Sequence, residues 1–181
     1  MPKKGLLCCL VLCGCAYDYP SDWPSLESAR QDCFSVSGIY DNRGVWVGRY
    51  GGSILAQKLF RDAHGWPLKS PDLANGVDSV EIAVTKEGTL DVTARIHQES
   101  VVIKKQFFAN KEEYRCNDGK IEISQVVVDL TGARQDSLVL SKSIDGALVV
   151  KEGAVGLMVF VLPVYGNAWQ RYTPYHPSKL R

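Results

Sequence analysis

The chain has 181 residues, of which 45% are hydrophobic, with 21 basic and 20 acidic residues. The hydrophobic fraction is typical of a globular protein rather than a disordered chain, and the length suits one domain. No run of basic residues is present. This argues against nucleic acid as a partner, because binding it requires a concentrated cationic surface.

The first fifteen residues have the pattern of an export signal. Lys3 and Lys4 precede the uncharged apolar stretch 6–12, which is well short of the roughly 20 apolar residues that a membrane-spanning helix needs. The tetrad Leu12-Cys13-Gly14-Cys15 resembles the lipobox of bacterial lipoproteins. The resemblance implies cleavage before Cys15, a diacylglycerol on its thiol and acylation of the new amine. The alternative is an ordinary signal peptide whose cysteines are small apolar filler.

This interpretation divides the chain into a lipoprotein signal peptide (1–14), a lipidated tether (15–32) and a single β-rich domain (33–181). The tether contains prolines that disfavour helix, and Trp23 is its one large apolar side chain. Trp23 either packs on the domain, the simpler expectation, or lies at the lipid interface. By the lipoprotein resemblance, a residue other than Asp after the lipid cysteine, here Ala16, permits sorting to an outer membrane, and we expect the protein there, facing the periplasm.

Cys33 and Cys116 are the two cysteines that this processing leaves without a role. An even pair in an oxidising compartment normally forms a disulfide, so we expect them to be bonded. Two buried free thiols are the alternative. A metal site is not expected, because two isolated cysteines supply too few ligands.

In chain order, the first predicted elements are strands over 36–40 and 45–50, joined as a hairpin by the turn-rich tetrad at 41–44. Ser53 is predicted to cap a helix over 54–63. A loop over 64–76 follows, with two prolines and Trp66.

The remainder alternates apolar and polar residues, the pattern of half-buried antiparallel strands. Turns are predicted at 86–88, at Asp118-Gly119 and at Asp145-Gly146. The predicted strands cover 80–84, 90–96, 101–108, 113–116, 120–130, 138–144, 147–151, 157–164 and 169–172. We therefore predict an all-β fold with one short helix, an antiparallel meander forming a sandwich or barrel of about ten short strands.

The body of the chain resembles small uncharacterised bacterial lipoproteins. The shared features are a Trp-Pro at 23–24, Cys33 with Gly38 and Tyr40, the Cys-x-Asp-Gly turn at 116–119 and the strand over 145–150. The resemblance covers most of residues 15–175 and implies no particular activity.

The sequence contains no recognisable catalytic constellation. His64, His97 and His176 are not at metal-ligand spacing. Ser53 follows Gly51-Gly52, but the surrounding residues match neither a nucleophile elbow nor a phosphate loop. The carboxylates at 112, 113, 129, 136 and 145 are expected to be solvated. We therefore predict a protein that is not an enzyme and that uses no cofactor or metal.

Two binding functions remain. The first is a membrane-anchored structural or protein-interaction module whose contact surfaces are the loops 64–76 and 131–136, with Trp66 as the candidate contact residue. The alternative is that the Trp66 side chain is buried against the bottom of the sheet. The second is a lipocalin-like carrier of a small apolar ligand. Its cavity would be lined by aromatic residues that could equally be core: Trp46, Phe107, Phe108, Tyr165 and Trp169.

Overall fold

The structure, a computed structural model, describes residues 18–27, 32–46, 52–61, 76–96, 100–129, 132–158 and 163–175. Its elements are β1 Gly38–Asp41, β2 Arg43–Trp46, β3 Gly52–Ile54, α1 Leu55–Leu59, β4 Ser79–Val84, β5 Thr89–Ile96, β6 Ser100–Phe108, β7 Arg115–Asn117, β8 Lys120–Asp129, β9 Gly132–Lys142, β10 Leu148–Met158 and β11 Pro163–Tyr172. Short 3₁₀ turns cover Phe34–Val36 and Ala109–Lys111.

Two antiparallel sheets form a sandwich-like fold that is not a closed barrel. One sheet has four strands in the order β1-β4-β5-β6, and the other has seven in the order β3-β2-β11-β10-β9-β8-β7. The predicted all-β class is therefore confirmed, and of the two predicted architectures the structure has the sandwich.

The core forms where the inward residues of the two sheets meet. Side chains alternate between the faces of a strand, so every second residue points inward. The four-stranded sheet contributes Val80, Ile82, Leu90, Val92 and Phe107, and the seven-stranded sheet contributes Ile121, Leu138, Leu140, Leu148, Val150 and Tyr172. We call the opposite side of the seven-stranded sheet its outward face.

The predicted turns at Asp118-Gly119 and Gly146 are present. Asn117 pairs with Lys120, which leaves a two-residue connection. Asp118 and Gly119 have φ values of 51° and 70°, the left-handed conformation that such a tight hairpin requires at both positions. In the β9–β10 turn only Gly146 has a positive φ, of 83°, because Ser143 and Ala147 close a longer loop.

The hairpin predicted over 36–50 is wrong. β1 pairs with β4, whereas β2 pairs with β11 and β3, so the chain changes sheets at Asn42. The buried Asn42 side chain donates to the Val77 carbonyl at 2.9 Å and accepts from the Ala56 amide at 2.8 Å. The polar tetrad at 41–44 is therefore a crossover between the two sheets. The side-chain amide of Asn42 has its hydrogen-bond partners inside the protein.

The predicted helix is shorter than expected, and its predicted cap is wrong. It covers Leu55–Leu59 rather than 54–63, and Ser53 lies in β3. The amide that a capping side chain would satisfy is bonded by Asn42 instead. Leu55, Ala56 and Leu59 are buried, so packing on the core stabilises this short helix.

The predicted contact loop at 131–136 is also wrong over 132–136, because these residues belong to β9, which pairs with β8 and β10. Alternation weakens in this stretch, where inward positions carry polar residues. Residue 131 lies outside the described residues.

Cys33 and Cys116 are joined by a disulfide, in agreement with the expected pairing, with their sulfurs 2.07 Å and their Cα atoms 5.9 Å apart. Cys33 precedes the first strand of the four-stranded sheet, and Cys116 lies in β7 at the edge of the other. The bond therefore links the two layers.

Residues 18–27 lie against the seven-stranded sheet. The Glu27 amide donates to the Lys142 carbonyl at 2.8 Å, and the Ile144 amide donates to the Ser25 carbonyl at 2.9 Å. The Tyr19 ring meets Trp169 edge-on with centroids 5.2 Å apart. This segment of the predicted tether is therefore held by the domain.

Candidate functional site

A cluster of charged side chains lies between α1 and the inward face of the seven-stranded sheet, where the apolar core ends. Glu152 follows the buried Val150 by two positions on β10, and Asp136 precedes the buried Leu138 by two on β9. Both carboxylates therefore point inward. We call the cluster formed by Lys58, Arg61, Lys105, Arg134, Asp136 and Glu152 the charged cluster.

Glu152 is its centre. Lys58 Nζ and Arg61 Nη2 each lie 2.5 Å from a Glu152 carboxylate oxygen, and Gln170 Nε2 donates to the same carboxylate at 3.2 Å. Burial raises the pKa of Glu152, but the charges and hydrogen bonds of Lys58 and Arg61 outweigh it, and the pKa lies below its ordinary value. Glu152 is therefore ionised at neutral pH.

Arg61 extends the cluster in two directions. Its Nη1 lies 3.4 Å from Asp136 Oδ2, and Asp136 Oδ1 lies 3.2 Å from Arg134 Nε. Its backbone carbonyl accepts a hydrogen bond from Lys105 Nζ of β6 at 3.2 Å. Burial, and secondarily the Arg61 charge, lower the pKa of Lys105 despite the opposing effect of Glu113. The charged cluster therefore connects both sheets.

A neutral polar contact borders the charged cluster on the core side. The Tyr172 hydroxyl lies 2.7 Å from Ser53 Oγ and 3.3 Å from Gln170 Oε1. Burial raises the pKa of Tyr172, and this effect exceeds the opposing one of the Ser53 hydrogen bond. Tyr172 is therefore a neutral structural group, and Ser53 satisfies its hydroxyl.

The charged cluster has an excess of cations and reaches the protein surface at Arg134. It contains four cations and two carboxylates, and the side chain of Arg134 is 39% exposed. Among the described residues, no group of three His, Cys, Asp or Glu side chains is placed to hold a metal ion. The guanidinium groups can make paired hydrogen bonds to a carboxylate or phosphate.

Several residues singled out by sequence lie outside the described residues, namely Cys15, Trp66, His64, His97 and His176, together with positions 64–75 of the predicted loop. Within the described ranges, no helix is both long and apolar enough to cross a bilayer.

Of the aromatic residues proposed to line a carrier cavity, the four with described side chains do not surround one space. Phe107 is buried in the core, whereas Trp169 lies on the outward face beneath Tyr19 and Lys151. Trp46 lies under Lys58, and Phe108 lies under Lys111. The side chain of Tyr165 is outside the described set.

The sequence reasoning missed the charged cluster. Asp136 was expected to be solvated, but its side chain is only 13% exposed and paired with Arg61 and Arg134. Glu152 carried a usable signal, because it stands two positions after Val150, on the apolar face of its strand. A charge at an inward position predicts a buried partner.

Comparison with protein families, with curated proteins and with solved structures finds no match to this chain.

Proposed function

We propose that this protein is a bacterial envelope lipoprotein, anchored through Cys15 to the outer membrane and facing the periplasm, that acts as a structural or protein-interaction module. The observation that carries the proposal is the tetrad Leu12-Cys13-Gly14-Cys15 after a short basic and apolar segment. Acyl chains on one cysteine anchor a protein stably, since each buried CH₂ contributes about 0.8 kcal/mol.

The domain that follows suits this role. A disulfide between the sheets is expected for a domain exported to an oxidising compartment. Residues 18–27 are bonded to the sheet, so the domain would be held within a few residues of the membrane anchor. Anchoring would thus fix the orientation of the sandwich as well as its location.

For the interaction, we propose that the charged cluster contacts an acidic group of an envelope protein. Its cations outnumber its carboxylates, and Arg134 is the most exposed of the cations that are ion-paired. The carrier alternative is not supported by an observation of this kind, because the fold is a sandwich with an apolar core rather than a closed barrel.

The anchor is tested by Cys15→Ser in the full chain. We expect the wild type in the outer-membrane fraction and the variant either soluble or retained with an uncleaved signal. Identical fractionation and migration of the two would refute the anchor.

The contact surface is tested by a photo-crosslinking amino acid at Arg134, with Asp91 on the outward side of the four-stranded sheet as the matched control site. We expect a discrete crosslinked envelope protein from position 134 alone. Equal crosslinking from both positions, or from neither, would refute this surface.

A further inference from the structure

The outward face of the seven-stranded sheet carries four of the seven large hydrophobic side chains that are exposed in the described part of the chain. Four valines point outward there, with exposures of 66% for Val45 and Val126, 69% for Val128 and 56% for Val155. Val126 and Val155 lie in one row across the sheet, because both are paired with Gln135. Apolar side chains clustered on one face mark a contact surface.

The described residues nearest in sequence to the predicted anchor lie on this same face. Tyr19, four residues after Cys15, lies on the outward side chain of Trp169, and Tyr19 also contacts Trp23 edge-on. Asp18 is three positions after Cys15, so the chain between them spans at most about 11 Å. Val155, whose neighbour Tyr165 precedes Trp169 by four positions, is about 14 Å from Trp169 along the sheet. The anchor and the valines are therefore within reach of one surface.

Charge and aromatic content distinguish this face from the other side of the sandwich. The outward residues in the strands of the seven-stranded sheet include one acidic residue, Glu122, and five basic ones, Arg43, Arg115, Lys120, Lys151 and Arg171. One of the five, Arg171, is ion-paired with Asp145 of the β9–β10 turn. The outward side of the four-stranded sheet has the reverse balance, with Lys104 and Arg95 opposed by Asp41, Glu81 and Asp91. Basic residues are attracted to anionic lipids, and Trp and Tyr favour the membrane interface.

We propose that the outward face of the seven-stranded sheet lies on the lipid surface to which Cys15 anchors the protein, with Val126, Val128 and Val155 in contact with the bilayer. This rests on the proposed function, which supplies the anchor. The charged cluster, on the inward side of the same sheet, would then remain available to a partner in the aqueous space.

The test places one environment-sensitive fluorophore on the full chain, through Val155→Cys or through the control Ile39→Cys. Ile39 is 46% exposed and points outward from the opposite sheet. With Cys33 and Cys116 bonded and Cys15 acylated, the introduced thiol is the only free one in the processed chain. The purified protein is reconstituted into vesicles of phosphatidylethanolamine and phosphatidylglycerol, and the mass of the Cys15 peptide is recorded from the same sample.

With Cys15 acylated, we expect a blue shift and quenching by nitroxide lipid for the label at 155 and neither for the label at 39. If the labels at 155 and 39 both emit at the wavelength of a water-exposed fluorophore, the membrane-facing orientation is wrong, whereas the anchor proposal is unaffected. If Cys15 is unmodified, the anchor proposal fails. The orientation is then decided with both labels in a full chain in which Cys8, Cys9, Cys13 and Cys15 are all replaced by Ser, so that the label is on one thiol only, added to the same vesicles. A shift at 155 alone supports it, and no shift overturns it.

Discussion

Replacing Glu152 with Gln removes the charge at the centre of the charged cluster with almost no change in side-chain volume. Lys58 and Arg61 then lose their shared anion at 2.5 Å, and Gln170 loses its 3.2 Å contact with the carboxylate. Hydrogen bonds to charged groups contribute about 1.5–3 kcal/mol each. One carbonyl oxygen survives in Gln, and the Glu152 side chain is 24% exposed, so water offsets part of the loss. We expect the free energy of unfolding to fall by about 2–4 kcal/mol at pH 7.

The effect of Glu152→Gln should depend on pH. The pKa of Glu152 is lower in the folded protein than its ordinary value of 4.5, so the folded state binds this proton less readily than the unfolded state. The stabilisation is therefore complete above the unfolded pKa and is lost as the pH falls through the folded one. Urea unfolding of wild type and variant should thus differ most at pH 7 and converge as the pH falls below about 4.

Glu122→Gln is the matched control, because Glu122 lies outward opposite Arg115 in a neighbouring strand. A carboxylate at such an outward position contributes about 0–1 kcal/mol. A Glu152→Gln effect no larger than that of Glu122→Gln at pH 7, or an equal effect at pH 7 and pH 3, would refute the assigned role of Glu152.

Three further substitutions test the fold. Replacing Cys33 and Cys116 together with Ala should lower the free energy of unfolding by about 4–5 kcal/mol in urea, since the bond closes a long loop. Asn42→Ala should lower it by about 2–3 kcal/mol in the same assay, because the buried Val77 carbonyl and Ala56 amide lose their partner. Gly44→Ala should cost about 1–3 kcal/mol, because its Cβ would lie 2.5 Å from the buried Tyr172 ring.

Each of these has a discriminating control. Gly52→Ala in the neighbouring strand meets its nearest atom at 3.7 Å, so equal costs at 44 and 52 would contradict the proposed clash. Asn42→Asp retains the acceptor for Ala56 but not the donor to Val77, and an effect as small as that of a surface change would contradict the crossover role. Unchanged stability of the wild type on reduction would contradict the contribution of the disulfide.

Local sequence predicted several strands and the tight turns, because alternation and positive-φ residues are local properties. The strands predicted at 147–151 and 157–164 do not match β10, which is continuous over Leu148–Met158. The alternation over 90–96 reproduced β5, and Asp118-Gly119 reproduced a tight hairpin. The same information does not say which sheet a strand joins. The tetrad at 41–44 has turn composition, yet pairing with distant β4 and β11 separates its two strands.

The charged cluster was not predicted because its partners are far apart in sequence. Arg61 is 91 positions from Glu152 and 75 from Asp136, and the predicted helix was interpreted only through its apolar stripe. Glu152 lies on the inward, otherwise apolar face of its strand. A charged residue at such a position indicates a buried partner of opposite charge elsewhere in the sequence. Trp66 and the anchor cysteine stay predictions, since both lie outside the described residues.

The most direct test of the account is the mass of the N-terminal peptide of protein isolated from membranes of the native host. We expect a chain that begins at Cys15 and carries the added mass of a thioether-linked diacylglycerol and an amide-linked acyl chain. A chain beginning at Met1, or one cleaved elsewhere with an unmodified Cys15, would contradict the lipoprotein assignment.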